Sequence, residues 1–150
     1  MKLAKRTTEI SVHRTVAQIE ALLQDAGVEV VAKSYDEDRV LAGLAFQING
    51  TRYRLEADPA AAFRVMRSER KRLTKPGEDA LRDQAERTAW RVWLMWLEAQ
   101  LSLLEIEQST LEKILLPFRL VSGNRTVFEH LEEHGFNMPA LLPAPDDGPP

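Results

Sequence analysis

Two histidines near the end of the chain have a spacing that suits metal chemistry. His130-Leu-Glu-Glu-His134 follows the H-x-x-E-H order, in which two histidines one helical turn apart bind zinc and a carboxylate acts as base. Such a site needs a third protein ligand, and only Asp146 and Asp147 remain downstream of a helix barely two turns long. We therefore expect a surface helix rather than a metal site; weak adventitious metal binding by His130 and His134 is the alternative.

Four glutamates on and just after a predicted long helix are the other candidate metal ligands: Glu98, Glu105, Glu107 and Glu112. Carboxylates on one helix hold a divalent cation when a partner helix supplies further ligands. Glu98 and Glu105 are seven residues apart on the polar side of that helix, where solvated side chains are expected. The sequence therefore predicts no metal site here.

Motifs for covalent catalysis and for cofactor phosphates do not occur in this sequence. Its six serines lie in no G-x-S-x-G context, and neither a G-x-x-x-x-G-K-[ST] loop nor a G-x-G-x-x-G turn is present. The chain also has no cysteine, which excludes disulfides, thiolate ligands and thiol nucleophiles. We expect a protein that is not an enzyme, with no catalytic residues and no cofactor.

Residues 64–75 form a basic segment with a net charge of +5. Clustered cations bind phosphates by releasing counterions, and Arg82, Arg87 and Arg91 follow on the long helix. A solvated or internally neutralised loop and a protein-docking segment are the alternatives. The predicted nucleic-acid-binding residues are Arg64, Arg67, Arg70, Lys71, Arg72 and Lys75.

The whole chain has the composition of one folded domain. Its 150 residues are 44% hydrophobic and 29% charged, with a net charge of -3, which excludes a globally basic nucleic-acid binder. The N-terminal residues lack the apolar core of a signal peptide, and the longest unbroken apolar run, Val92 to Leu97, is far too short to span a membrane. We expect a cytoplasmic protein that does not contact membranes.

The first third of the chain predicts one helix among several strands. Gly27 suits the left-handed position after a helix, and Asn49-Gly50 is typical of a type I′ hairpin turn. In the last strand Arg52, Arg54 and Glu56 share a solvated face or one reserved for a partner. The predicted elements are a strand over Glu9 to Val12, a helix over His13 to Ala26, and strands over Val28 to Tyr35, Arg39 to Ile48 and Thr51 to Ala57.

The remaining chain predicts a connector, a long helix and a C-terminal cap. Residues 58–79 contain the breakers Pro59, Pro76 and Gly77, so we expect a mobile basic connector there. Residues Ala80 to Gln108 then predict a long helix. A short helix capped by Ser109 or Thr110, a tight strand pair over residues 118–127 and a last helix capped by Thr126 complete the prediction.

The long helix carries more apolar surface than one sheet can cover. Trp90, Trp93 and Trp96 are spaced three apart, and we expect Trp93 in the core and the other two in the core or at a subunit contact. An uncovered apolar patch is commonly buried by two-fold association. We therefore predict a homodimer through Val92, Met95 and Trp96.

Together these patterns predict a single α+β domain over residues 1–142 and a flexible Pro/Asp tail over residues 143–150. The expected architecture is a small antiparallel sheet of about four strands, one early helix, one long Trp-rich helix and a helical C-terminal cap.

Short motifs are distributed along most of the chain outside the basic segment. They are Thr7-Thr-Glu-Ile-Ser-Val-His-Arg14, Trp90-Arg91, Leu104-Glu105, Thr110-Leu-Glu112, Arg125-Thr-Val127 and Met138-Pro-Ala-Leu-Leu-Pro143. With these motifs the chain resembles a family of small uncharacterised proteins encoded in phages and prophages. The motifs carry no known chemistry, so no site residue is transferred. The resemblance implies an accessory protein of a mobile element in a bacterial cytoplasm.

The functional prediction combines the basic segment with this resemblance. We expect a non-enzymatic phage-type accessory protein that binds nucleic acid or a nucleic-acid-processing complex. The alternative is a protein-binding inhibitor or modulator of a host enzyme, with the acidic surface and the long helix as its working parts.

Overall fold

Helices and short strands alternate along the chain, and a computed structural model describes residues 8–136. The α+β class, the antiparallel sheet, the early helix and the helical C-terminal part are confirmed. Short 3-10 turns occupy Leu116–Phe118 and Ser122–Asn124. In chain order the elements are α1 (Val12–Asp25), β1 (Val30–Tyr35), β2 (Leu41–Ile48), β3 (Thr51–Glu56), α2 (Pro59–Ser68), α3 (Lys75–Glu105), α4 (Leu111–Leu115), β4 (Leu120–Val121), β5 (Arg125–Thr126) and α5 (Val127–Glu133).

The strand predicted over Glu9 to Val12 is wrong, because a helix begins there. The Ser11 hydroxyl accepts a hydrogen bond from the Arg14 backbone N–H at 3.2 Å, so α1 starts at Val12. On its apolar side Val16, Ile19 and Leu23 are buried against the rest of the protein. Gly27, at φ 99°, follows the helix in the left-handed conformation that its position predicted.

The main sheet is an antiparallel meander in the order β1-β2-β3. Asn49 and Gly50 both have positive φ, as a type I′ turn requires, and join β2 to β3. Phe46 and Tyr53 are paired across these strands with ring centroids 5.5 Å apart. Because the N-terminal strand is absent, this sheet has three strands, while β4 and β5 form a separate ribbon. Within residues 8–136, no strand pairs with the outer edge of β1.

Helices α1 and α3 cover one face of the sheet and enclose the main core with it. Helix α3 spans 31 residues and starts earlier than predicted, at Lys75. Trp90, at 1% exposure, is fully buried, and its indole Nε1–H donates to the Leu41 carbonyl oxygen at 3.2 Å. That bond ties the middle of α3 to the central strand.

The C-terminal cap packs against β3, the last strand of the meander. As predicted, Thr110 caps α4 and Thr126 caps α5, where Glu129 completes a capping box. Arg54 of β3 donates to the Asn124 carbonyl oxygen at 2.7 Å and pairs with the Glu129 carboxylate. One arginine therefore holds both the turn before β5 and the first turn of α5.

None of the helices within residues 8–136 is both long enough and apolar enough to cross a membrane. The predicted tail over residues 143–150 and the closing motif that starts at Met138 lie outside the described residues.

Candidate nucleic-acid interface

The basic segment belongs to a helical hairpin formed by α2 and the first turns of α3. The Asp58 side chain caps α2 by accepting from the Ala61 N–H at 2.9 Å, and Pro59 occupies the first turn, where no intrahelical donor is needed. A small core of Met66, Leu81 and Ala85 joins the two helices. The mobile connector predicted over residues 58–79 is therefore wrong: its first half is helical and packed.

The loop between the two helices ends at a second cap. Thr74 accepts a hydrogen bond from the Gly77 N–H at 3.2 Å, and Pro76 lies in the first turn of α3. A Cβ added at Gly77 would approach the Thr74 hydroxyl to 3.2 Å, so the small residue suits this close turn. Leu73 is half-buried and packs against the hairpin core, so it anchors the loop to the two helices. Both ends of the basic segment are thus fixed in place.

The structure brings all six predicted binding residues to one end of this hairpin. Arg64 and Arg67 lie on the last two turns of α2, Lys75 opens α3, and the loop between them carries the other three. Five of the six are exposed and Arg67 is half-buried. The six residues, named here the hairpin basic surface, are Arg64, Arg67, Arg70, Lys71, Arg72 and Lys75.

Within residues 8–136, most of these positive charges have no acidic partner. Lys75 pairs with Asp79 at 3.0 Å, one helical turn away, and Arg67 donates to the Arg70 carbonyl oxygen at 3.1 Å. In the part of the chain that the structure describes, no ion pair with a carboxylate forms at the remaining four cations: Arg64, Arg70, Lys71 and Arg72. Internal neutralisation was one alternative for this segment. Within residues 8–136, it accounts for the charge of Lys75 but not for the charges of these four residues.

The three arginines that follow on α3 do not extend this surface. Arg82 pairs with Glu78 and stacks over the Phe63 ring, with its guanidinium carbon 4.0 Å from the ring centroid. Arg87 donates to the Thr8 carbonyl oxygen, and Arg91 donates to the Gln18 side chain at 2.6 Å. These guanidinium groups fasten neighbouring segments to α3, so the prediction that they join a phosphate-binding surface receives no support from their contacts.

A cleft of about 410 Å³ lies between the loop and the first turns of α3. Two arginines are among its lining residues, and one of them, Arg87, is already bonded to the Thr8 carbonyl oxygen and the Gln84 side chain. It is lined by Arg70, Leu73, Gly77, Ala80, Leu81, Gln84 and Arg87.

The tryptophans offer no stacking surface beside these cations. Trp90 is in the core, which is one of the two positions predicted for it. Trp93 and Trp96 are half-buried and pack edge to face with each other and with Phe118. Base stacking needs exposed rings next to the basic groups, so contact with phosphates is the chemistry that the hairpin can supply.

The histidine and glutamate candidates do not assemble into a metal site. The His130 and His134 rings lie 4.5 Å apart, and the His134 Nδ1 is 2.8 Å from the His130 carbonyl oxygen. Asp146 and Asp147 lie outside the described residues. Within residues 8–136, no group of three or more metal-ligating side chains occurs, and the four glutamates Glu98, Glu105, Glu107 and Glu112 are exposed.

The positions missed by sequence reasoning are the helix caps that order the basic segment. Asp58-Pro59 and Thr74-Lys-Pro76 each place a capping side chain just before a proline in the first helical turn. That pattern was present in the sequence. Pro59 and Pro76 therefore mark helix starts, and the prediction that they act as breakers is wrong.

Comparison with known proteins identifies no relative of this chain: no family model, no curated protein and no solved structure matches it. The hairpin basic surface is therefore the observation from which a function can be inferred.

Proposed function

We propose that this protein is a non-enzymatic binding protein that contacts nucleic acid through the hairpin basic surface. One observation carries the proposal: four exposed cations, Arg64, Arg70, Lys71 and Arg72, have no carboxylate partner within residues 8–136 and stand on an ordered helical hairpin. Because the loop joins two packed helices and ends at the Thr74 cap, binding needs little further ordering of the backbone.

The proposed contacts are with the phosphate backbone and not with base edges. Arginine and lysine supply the sequence-independent, salt-dependent part of nucleic-acid affinity. The loop residues Arg70, Lys71 and Arg72 are consecutive and exposed, so a strand passing the end of the hairpin can meet several of them. We expect little sequence preference.

A salt titration tests the proposal. Fluorescence anisotropy of labelled single-stranded and double-stranded oligonucleotides should show affinity that falls steeply as salt rises. In the triple variant Arg70→Ala, Lys71→Ala, Arg72→Ala, the slope of log K against log salt should decrease by roughly two to three. Binding with an unchanged slope would contradict the proposal.

A matched control removes three positive charges elsewhere. Arg14, Arg39 and Lys113 are exposed on other parts of the surface, and Arg39→Asn suits the positive φ of 60° at that position. The variant Arg14→Ala, Arg39→Asn, Lys113→Ala has the same net charge as the loop variant. If it weakens binding equally, overall charge rather than the hairpin is responsible.

We also propose a biological setting for this binding. From the resemblance to small phage and prophage proteins, we propose an accessory role in the cytoplasm of a bacterial host, on nucleic acid or a nucleic-acid-processing complex. The alternative, a modulator of a host enzyme, predicts a complex with a protein whose affinity is unchanged in the triple loop variant, because its working parts are the acidic surface and the long helix. The same titration therefore separates the two functions.

We also propose self-association through α3. Met95, at 39% exposure, is on the surface, while Val92 and Trp96 are half-buried. Phe118 already covers part of Trp96, so the free apolar area is smaller than the sequence predicted. Light scattering at high micromolar concentration tests this. A monomer mass of 17.0 kDa would exclude the dimer.

A further inference from the structure

The first described residue of the chain, Thr8, is bonded to α3 close to the helical hairpin. Its carbonyl oxygen accepts a hydrogen bond from the Gln84 side-chain amide at 2.9 Å and another from the Arg87 guanidinium at 3.3 Å. Arg87 also donates to the Gln84 side-chain oxygen at 2.6 Å, so the two donors are bonded to each other. Thr8 is therefore held against α3 by a pair of side chains.

Both of these side chains line the cleft that adjoins the basic loop. Gln84 and Arg87 are lining residues of the cleft of about 410 Å³, and so is Arg70 of the loop. Gly77, in the first turn of α3, also lines it and precedes Gln84 by seven residues, which is about 10 Å along a helix axis. The attachment of Thr8 and the basic loop therefore adjoin the same cleft.

The segment before Thr8 is strongly basic. Residues 1–7 lie outside the described residues, but their sequence contains three cations and no acidic side chain. Seven extended residues span at most about 25 Å, which is more than twice the length of helix between Gln84 and Gly77. From its attachment at Thr8, the segment is therefore long enough to reach the hairpin basic surface. Its three cations are Lys2, Lys5 and Arg6.

The attachment at Thr8 brings positive charge to a part of the molecule that already has an excess of it. Residues 64–75 have a net charge of +5, and residues 1–7 have a net charge of +3. Like charges that share one side of a protein repel each other, and a polyanion bound between them relieves the repulsion. A chain of phosphates suits this arrangement, because each phosphate contact adds to the affinity by releasing a counterion.

From these observations we propose that residues 1–7 form a second nucleic-acid contact that continues the hairpin basic surface. This inference rests on the proposed function. The three cations of the segment bind phosphates next to those bound by the loop. Gln84 and Arg87 are positioning residues, since their bonds to Thr8 direct the segment to this side of the molecule. The complete site contacts up to three more phosphates than the hairpin alone.

Neutralising the segment tests the proposal. In Lys2→Gln, Lys5→Gln, Arg6→Gln, the side chains stay polar but lose their charge. Fluorescence anisotropy with a labelled duplex oligonucleotide gives the slope of log K against log salt. That slope should decrease by roughly two to three, because each lost phosphate contact removes about 0.9. An unchanged slope, or tighter binding than that of the unmodified protein, would overturn the proposal.

A matched control removes three charges from other elements. Arg52, Lys113 and Arg119 are exposed on β3 and in the C-terminal part of the chain. The variant Arg52→Gln, Lys113→Gln, Arg119→Gln has the same net charge as the segment variant and should keep the salt dependence of the unmodified protein. If its slope decreases equally, overall charge and not the N-terminal segment is responsible.

A variant without any change of charge tests the attachment of Thr8. Gln84→Ala removes the shorter of the two hydrogen bonds to the Thr8 carbonyl oxygen. Affinity should fall by roughly twofold to tenfold, the effect of one lost neutral hydrogen bond. The same substitution should have no effect when the segment is already neutralised. An equal loss in both backgrounds, or no loss in either, would show that Gln84 does not position the segment.

This inference and the proposed function fail in different ways. If the triple loop variant decreases the slope and the segment variant does not, nucleic acid binds to the hairpin alone and only this inference is wrong. If the unmodified protein binds neither single-stranded nor double-stranded oligonucleotides, the proposed function itself is wrong.

Discussion

The two halves of α3 lie in very different surroundings. Leu94 and Leu97, in the second half, belong to a main core of 14 buried residues, which come from α3 itself, α1, α4, the sheet and Ala57 just after it. Leu81 and Ala85, in the first half, share a core with Met66 alone among buried residues. Stability follows the amount of apolar surface buried, so the main core sets the stability of the fold. We therefore expect the hairpin to open at lower free energy than the main core.

The largest expected effect is in the main core. Trp90→Ala removes a fully buried ring and the donor to the Leu41 carbonyl, and should lower the free energy of unfolding by about 3–5 kcal/mol. Urea denaturation measures this. The half-buried Trp96 is the comparison: if Trp96→Ala costs as much, burial does not distinguish these two positions.

A smaller and more local effect is expected in the hairpin. Met66→Ala should cost about 2–3 kcal/mol, because Met66 is 3% exposed. Amide hydrogen exchange should lose more protection in α2 than in β2. Val65→Ala, next to it and 50% exposed, is the control. Equal loss of protection in α2 and β2 would mean that the hairpin opens only with the whole domain.

The C-terminal cap should respond to acid through Glu129. The hydrogen bond from the Thr126 backbone N–H, with help from Arg54, holds the pKa of Glu129 below its ordinary value of 4.5. Its stabilising contribution is therefore complete above the ordinary carboxyl pKa and is lost as pH falls through the lower pKa of the folded state.

Glu129→Gln tests this linkage. The variant should cost about 1 kcal/mol at neutral pH, since it weakens a capping box and an ion pair. Its difference from the unmodified protein should shrink in thermal melts as pH decreases below 4.5. A difference that is constant across that range would show that the charge of Glu129 does not stabilise the cap.

The smallest effect on stability is expected at the hairpin basic surface. Arg70, Lys71 and Arg72 are exposed, so replacing all three with Ala should change the free energy of unfolding by less than about 0.5 kcal/mol per site. Thermal melting checks this. If the triple variant unfolds, these side chains have a structural role and the binding interpretation is lost.

The elements predicted correctly are those specified by local residue chemistry. Asn49-Gly50 and Thr126 each determine a turn or a cap with their own backbone and side chain, and both predictions are confirmed. Ser11 is also local, but the β-branched Ile10 and Val12 beside it favoured a strand. A helix forms here because the Ser11 cap and the buried apolar face of α1 both stabilise it.

The errors in the basic segment have a different cause. Residues 60–66 are compatible with one or two helical turns, but the high charge of residues 64–75 favours a connector. The spacing of Ala62, Phe63 and Met66 marks the buried side of α2. The contact of the C-terminal cap with β3 cannot be predicted from the sequence. It depends on an isolated bridge between Tyr53 and Arg119, and no local pattern specifies that contact.

Arg54 also has a consequence for the order of folding. Its partners Asn124 and Glu129 are 70 and 75 positions away in the sequence, whereas the contacts of the meander are between neighbouring strands. Contacts between distant residues form slowly, because a long loop must close first. During synthesis the three strands can pair before the cap has left the ribosome, so docking of the cap on β3 is the late event of folding.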